Sequence, residues 1–65
     1  TLTVNGEPSP VAPPVTVAAL LRAIGAPERG VAVAVDAEVV PRSAWEDHTL
    51  TGGERVEVLT AVQGG

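Results

Sequence analysis

The sequence predicts an α+β fold in which one helix covers one face of a small mixed sheet. Three observations carry this. Val17, Leu20, Leu21 and Ile24 form a single apolar stripe at helical spacing. Two runs, 31–35 and 55–60, place valines at alternate positions, as strands with one buried face do. Asn5-Gly6, set between short alternating segments, is the strongest local signal for a tight hairpin.

The elements follow in order. Thr1-Leu2-Thr3-Val4 reads as a strand with Leu2 and Val4 inward, and Asn5-Gly6 turns the chain as turn chemistry only. A second strand is expected near Glu7 to Ala12, confined to a sheet edge by Pro8 and Pro10. Pro13-Pro14 stops pairing. Thr16 is an N-cap, with Val15 and Leu20 at the two positions of a hydrophobic staple. Gly25 ends the helix and Pro27 prevents its continuation. Val31 to Val35 is a strand with valines on one face and alanines on the other. Asp36-Ala37 turns the chain, and Glu38-Val39-Val40 pairs briefly. Ser43-Ala44-Trp45-Glu46 matches a capping box at the start of a short helical turn. Thr51 to Glu54 is a loop, and Arg55 to Thr60 is the last strand, with Val56 and Val58 inward.

One helix must bury its stripe against one sheet face. A β-grasp, or ubiquitin-like, roll does this with a mixed sheet of four to five strands, one main helix and a short helical turn. A ferredoxin-like fold needs a second long helix, for which 65 residues leave no room. Such a chain buries only about 60% of its unfolded surface, so it forms one small domain of modest stability. The expected division is a β-grasp domain over 1–60 and a flexible tail over 61–65.

Composition narrows the chemistry. There is no cysteine, which excludes a disulfide framework, a thiolate metal site and a thiol nucleophile. One histidine, His48, makes a zinc site improbable. Without Phe, Tyr or Met, the core must be Val, Leu, Ile and Ala plus Trp45. Eight acids against four arginines give a net charge of −4. That argues against nucleic acid and for a basic protein face as partner. Lysine is absent, so Schiff-base chemistry and lysine-linked self-conjugation are excluded. No apolar run approaches the ~20 residues of a membrane span, and Thr1 opens no signal segment. A soluble cytoplasmic protein is expected. Arg22, Arg29, Arg42 and Arg55 do not cluster in sequence and are assigned to no phosphate site. No catalytic residue is assigned; His48 and the Glu46-Asp47 turn read as surface, and Trp45 as a core cap.

The sequence closes on Val62-Gln63-Gly64-Gly65. Two glycines carry no side chain, so the only chemical group there is the Gly65 carboxylate, which fits a channel too narrow for any other residue. On these residues alone the pair reads as readily as a group to be activated and loaded as it does as an end without a role, whether a frayed terminus or a remnant of engineering.

Read together, several blocks carry a family resemblance. They are Thr3-Val4-Asn5-Gly6-Glu7, Val17-Ala18-Ala19-Leu20-Leu21, Val31-Ala32-Val33-Ala34-Val35, Val40-Pro41-Arg42-Ser43-Ala44-Trp45, Gly53-Glu54-Arg55-Val56-Glu57 and Gly64-Gly65. In order, spacing and length they resemble the sulfur-carrier protein of thiamine biosynthesis, the ThiS family. The family usually has Gly-Asp where this chain has Gly53-Glu54, which keeps an acid in the loop.

The resemblance implies that Gly65 is adenylated by a ubiquitin-activating-like enzyme and converted to a thiocarboxylate, with Gly64 in the enzyme's channel. The sulfur originates from cysteine, through a donor protein, and passes to thiazole synthase. ATP and magnesium belong to the activating partner; this chain binds no cofactor or metal and is a group carrier rather than an enzyme. Five extended residues, Ala61 to Gly65, span about 17 Å. Ordering them costs roughly 1–2 kcal/mol each, so the folded body must supply binding energy. The expected docking surface is the sheet face away from the helix, with Leu59 as anchor beside Ala61, Glu57, Ala32, Ala34, Thr1 and Thr3, and with Val62 and Gln63 following in the tail. A last strand covered on both faces makes Leu59 core instead. The alternatives are the small sulfur-carrier subunit of molybdopterin synthase, a ubiquitin-like protein modifier acting through Gly65, and a β-grasp interaction module with an inert tail.

Overall fold

A computed structural model describes residues 2–27 and 29–60. Among these residues seven strands and one α-helix succeed one another: β1 (Thr3–Val4), β2 (Glu7–Pro8), β3 (Val15–Thr16), α1 (Val17–Ala23), β4 (Val31–Val35), β5 (Glu38–Val40), β6 (Thr49–Leu50) and β7 (Arg55–Thr60). A 3₁₀ turn, Arg42–Ala44, links β5 to β6. The main sheet runs in the order β2-β1-β7-β4-β5, and β3 and β6 form a separate pair. β1 and β7 are parallel, while the other pairings are antiparallel, so the sheet is mixed. The first and last strands of the chain thus sit side by side at the centre, with α1 packed across one face. This is the β-grasp roll that the residue pattern predicts.

The helix forms where its end signals lie. Thr16 accepts a hydrogen bond from the Ala19 N–H through its hydroxyl, at 3.1 Å. The two preceding orphan donors are met from outside: Val17 N–H reaches the His48 carbonyl at 2.9 Å and Ala18 N–H the Trp45 carbonyl at 3.0 Å. These bonds tie the helix start to the 45–48 turn. At the other end Gly25 has φ +76°, which costs a glycine little. Gly25 N–H donates to the Arg22 carbonyl and Ala26 N–H to the Leu21 carbonyl, the paired bonds of a Schellman stop.

Among the described residues eleven make the core: Leu2, Val17, Leu20, Leu21, Val33, Val35, Val40, Trp45, Leu50, Val56 and Val58. It is aliphatic apart from Trp45, whose indole N–H donates to the Val40 carbonyl at 3.0 Å. That bond satisfies the one polar group the core would otherwise strand. Each fully buried Val or Leu contributes about 1.5–3 kcal/mol, so these side chains carry the fold.

Two expectations are corrected. The second strand ends at Pro8 rather than Ala12. Pro10 has no N–H for a ladder, and the Ser9 hydroxyl takes up the Val11 N–H and donates to the Val11 carbonyl, folding the chain on itself. The capping box at Ser43 is absent. The turn is capped two residues earlier, by Pro41, whose carbonyl accepts the Ala44 N–H, so Ser43 lies inside it. Beyond the expected elements, Val15-Thr16 and Thr49-Leu50 pair with each other.

Candidate functional site: the outer sheet face and the end of the last strand

Alternation on β4 and β7 divides their residues between two faces. Val33 pairs with Val58 and Val35 with Val56, and all four are buried under the helix. Ala32 pairs with Leu59 and Ala34 with Glu57 on the opposite face. Leu59 is 67% exposed, so it is not core and the last strand is covered on one side only. The two alanines beside it are short, which leaves the face flat and the leucine proud.

A second apolar residue belongs to this face and was missed from sequence. Val39 is 73% exposed and pairs with Ala34. Its signal was present in the two-residue turn Asp36-Ala37, which sets the register of β5, and in Val40, which must then point inward opposite Val33. Across the sheet the outer face therefore runs Thr3, then Glu57 and Leu59, then Ala34 and Ala32, then Val39. Thr3 is half-buried, while Thr1, Ala61, Val62, Gln63, Gly64 and Gly65 lie outside the described residues.

The loop before β7 is held by an acid. Glu54 accepts from the Gly52 N–H at 2.7 Å, from the Thr51 N–H at 3.2 Å and from the Thr51 hydroxyl at 3.3 Å. The Gly52 N–H is the main reason that its carboxyl titrates below the usual range, with the Thr51 bonds adding to it and burial opposing it. The Asp36 carboxylate accepts the Arg55 N–H at 2.9 Å, and Arg55 returns its carbonyl to the Asp36 N–H at 2.8 Å. The start of β7 is thus clamped to the β4–β5 turn.

The end of β1 is clamped to β7 by a side chain. Asn5 is read from sequence as a turn residue only, and it does turn the chain, at φ +53°. It also bonds Val58 twice: its Nδ2 donates to the Val58 carbonyl at 3.1 Å and its Oδ1 accepts the Val58 N–H at 2.8 Å.

No group of three or more His, Cys, Asp or Glu among the described residues is disposed to hold a metal ion. His48 contributes backbone, its carbonyl accepting from Val17 and its N–H donating to Ala44. The fold brings Arg22 and Arg42, distant in sequence, to one open groove of about 700 Å³ floored by Ala18, Leu21 and Trp45. Glu46 and Asp47 share it, so its charge is balanced. No helix among the described residues is long and apolar enough to cross a membrane.

These features define a small β-grasp protein with a one-sided core and an apolar outer face at its last strand. The model of the ThiS family matches residues 2–65, and the chain belongs to that family. The crystal structure of the thiamine biosynthesis protein ThiS from Geobacter metallireducens is similar over 98% of this chain and 97% of that one, with 39% identity and a TM-score of 0.80. The solution structure of a thiamine biosynthesis protein from the same organism gives 39% identity, a TM-score of 0.79 and coverage of 98% and 86%. A relative called thiazole synthase, from Paramagnetospirillum magneticum, is 34% identical over 64 residues. The match takes in 98% of this chain but 20% of that relative's length.

Proposed function

We propose that this chain is a sulfur carrier whose Gly65, as the terminal residue of the working protein, is adenylated and then converted to a thiocarboxylate for thiazole formation. An α-carboxylate with an ordinary pKa of about 3.5 is ionised at neutral pH and is a poor electrophile. Attack of its oxygen on the α-phosphorus of ATP expels pyrophosphate and leaves an acyl-adenylate. A sulfur nucleophile at the level of sulfide then adds to the acyl carbon, AMP departs, and a C–S bond replaces a C–O bond. Magnesium and the cations that stabilise phosphate charge come from the activating enzyme, which is ubiquitin-activating-like. The sulfur comes from cysteine through a donor protein.

The observation that carries this reading is the family match, which runs the length of the chain and includes Gly64 and Gly65. The name of the relative from Paramagnetospirillum favours thiazole synthase as the acceptor over the molybdopterin branch. Residues 1–60 act as the docking body and 61–65 as the tail that carries the reactive carbon. Leu59 and Val39 anchor the body, with Ala61, Val62 and Gln63 following into the partner and Gly64 in its channel. The chain acts as substrate and group carrier, not as catalyst.

Intact-mass analysis tests this after incubation with the adenylating enzyme, magnesium-ATP and the sulfur donor. One sulfur-for-oxygen exchange is expected, mapped to Gly65. Deleting Gly65, or adding a residue after it, abolishes loading with little change in thermal stability. Undiminished adenylation of either variant overturns the reading, and attachment to lysines of other proteins supports a modifier instead.

A further inference from the structure

The parallel ladder between β1 and β7 is short on the β1 side. Thr3 N–H donates to the Glu54 carbonyl and Asn5 N–H to the Val56 carbonyl. The next rung would join the Asn5 carbonyl to the Val58 N–H, but Asn5 has turned into the left-handed region and Gly6 follows at φ +82°. The backbone therefore turns away from β7 into β2 where β7 still has Val58, Leu59 and Thr60 to run. The Asn5 carboxamide fills the missing place. It has the acceptor and donor of a peptide group, and it meets both the N–H and the carbonyl of Val58. On the other side β4 follows β7 to its end, where Val31 pairs with Thr60. Two residues from the end of β7, the strand is held from both sides only because of this one side chain.

We propose that Asn5 is a positioning residue for the loading of Gly65, acting by fixing the direction in which β7 delivers the chain beyond Thr60. The inference rests on the carrier reading. A reactive carboxylate must reach its partner's nucleotide in a narrow range of geometries, and small displacements are costly to rate. The path to that site starts at the end of β7, so play in the strand end adds to the number of arrangements from which the carboxylate must be brought into place. Asn5 is exposed, so water competes for its bonds and their loss is expected to cost the fold little. Its effect falls on the order of the strand end more than on global stability.

Asn5→Gly isolates the effect, because glycine keeps the left-handed turn and deletes only the carboxamide. The assay is pyrophosphate release with the adenylating enzyme and magnesium-ATP, at a temperature where thermal melts show the variant folded. We expect kcat to fall about tenfold or more while KM stays within about twofold, since the docking face is untouched. Amide exchange at Val58 should accelerate relative to that at Val33. If Asn5→Gly does not fold, Asn5→Asp takes its place: it keeps an acceptor for the Val58 N–H, loses the donor, and is expected to lower kcat as well. A folded variant that loads at the wild-type kcat overturns the proposal, as does a rise in KM at constant kcat. If wild-type protein itself releases no pyrophosphate, the carrier reading fails, a result distinct from either.

Discussion

The two faces of β4 and β7 are built from alternate residues of the same strands, yet they carry opposite demands. On the inner face Val33, Val35, Val56 and Val58 are buried and branched, and they meet the helix stripe of Val17, Leu20 and Leu21. On the outer face Ala32 and Ala34 are short, and Leu59 and Val39, paired with them, stand exposed. A chain of 65 residues cannot bury both faces of its sheet with a single helix. It folds on one and leaves the other exposed. Since interface energy concentrates in a few apolar anchors, Leu59 and Val39 are the two side chains on which the proposed docking surface can be tested.

The comparison breaks most sharply between neighbours. Val33→Asp should unfold the protein, a loss of about 4 kcal/mol or more, because an unpaired carboxylate enters an aliphatic core. Ala32→Asp, one residue away, should leave the circular dichroism spectrum and melting temperature near those of the wild type. A folded Val33→Asp protein would place this strand on the wrong face. A smaller effect belongs to Thr16→Ala, which removes the helix cap and should cost about 1 kcal/mol in denaturant titration. It touches only the inner layer, so loading by the activating enzyme should be unchanged at a temperature where the variant is folded.

Glu54 sharpens the comparison through pH. Its folded carboxyl titrates below its ordinary value because of the Gly52 and Thr51 donors. Its contribution is therefore fully present above the ordinary carboxyl range and is lost as pH falls through the depressed value. Between neutral and acidic pH, wild type should lose more stability than Glu54→Gln, and identical pH profiles would show that the loop does not depend on this charge. The smallest effect is a gain. Ala37 sits at φ +71°, where an L side chain is strained. Ala37→Gly should add roughly 0.5 kcal/mol, the relief of that strain less the extra entropy of glycine in the unfolded chain.

What was legible in the sequence was whatever repeats over several residues. The helix of 17–23, the valine alternation of β4 and β7, and the exposure of Leu59 follow from periods of 3.6 and 2, which a single chain displays openly. The β3–β6 pair was not legible because two residues on each side show no alternation. The second strand was drawn too long because Val11 looks like a continuation. In fact it packs against the core after the Ser9 hydroxyl has turned the chain. The capping box misled because Ser and Glu at the right spacing say nothing about where Pro41 starts the turn. The second role of Asn5 was hidden for a different reason: its partner, Val58, lies 53 residues away, and only the parallel pairing of β1 with β7 brings them together.

Leu59→Glu tests the division of labour most directly, read by a thermal melt and by titration against the activating enzyme at low and high salt. Leu59 neighbours the buried Val58 in sequence but faces solvent, so the melt should match that of the wild type. Binding should weaken at low salt and stay weak at high salt, because screening removes charge repulsion but does not restore a lost apolar anchor. Unfolding of the variant would make Leu59 part of the core and reverse the assignment of faces. Full recovery of binding at high salt would show that charge, not the leucine, governs the docking surface.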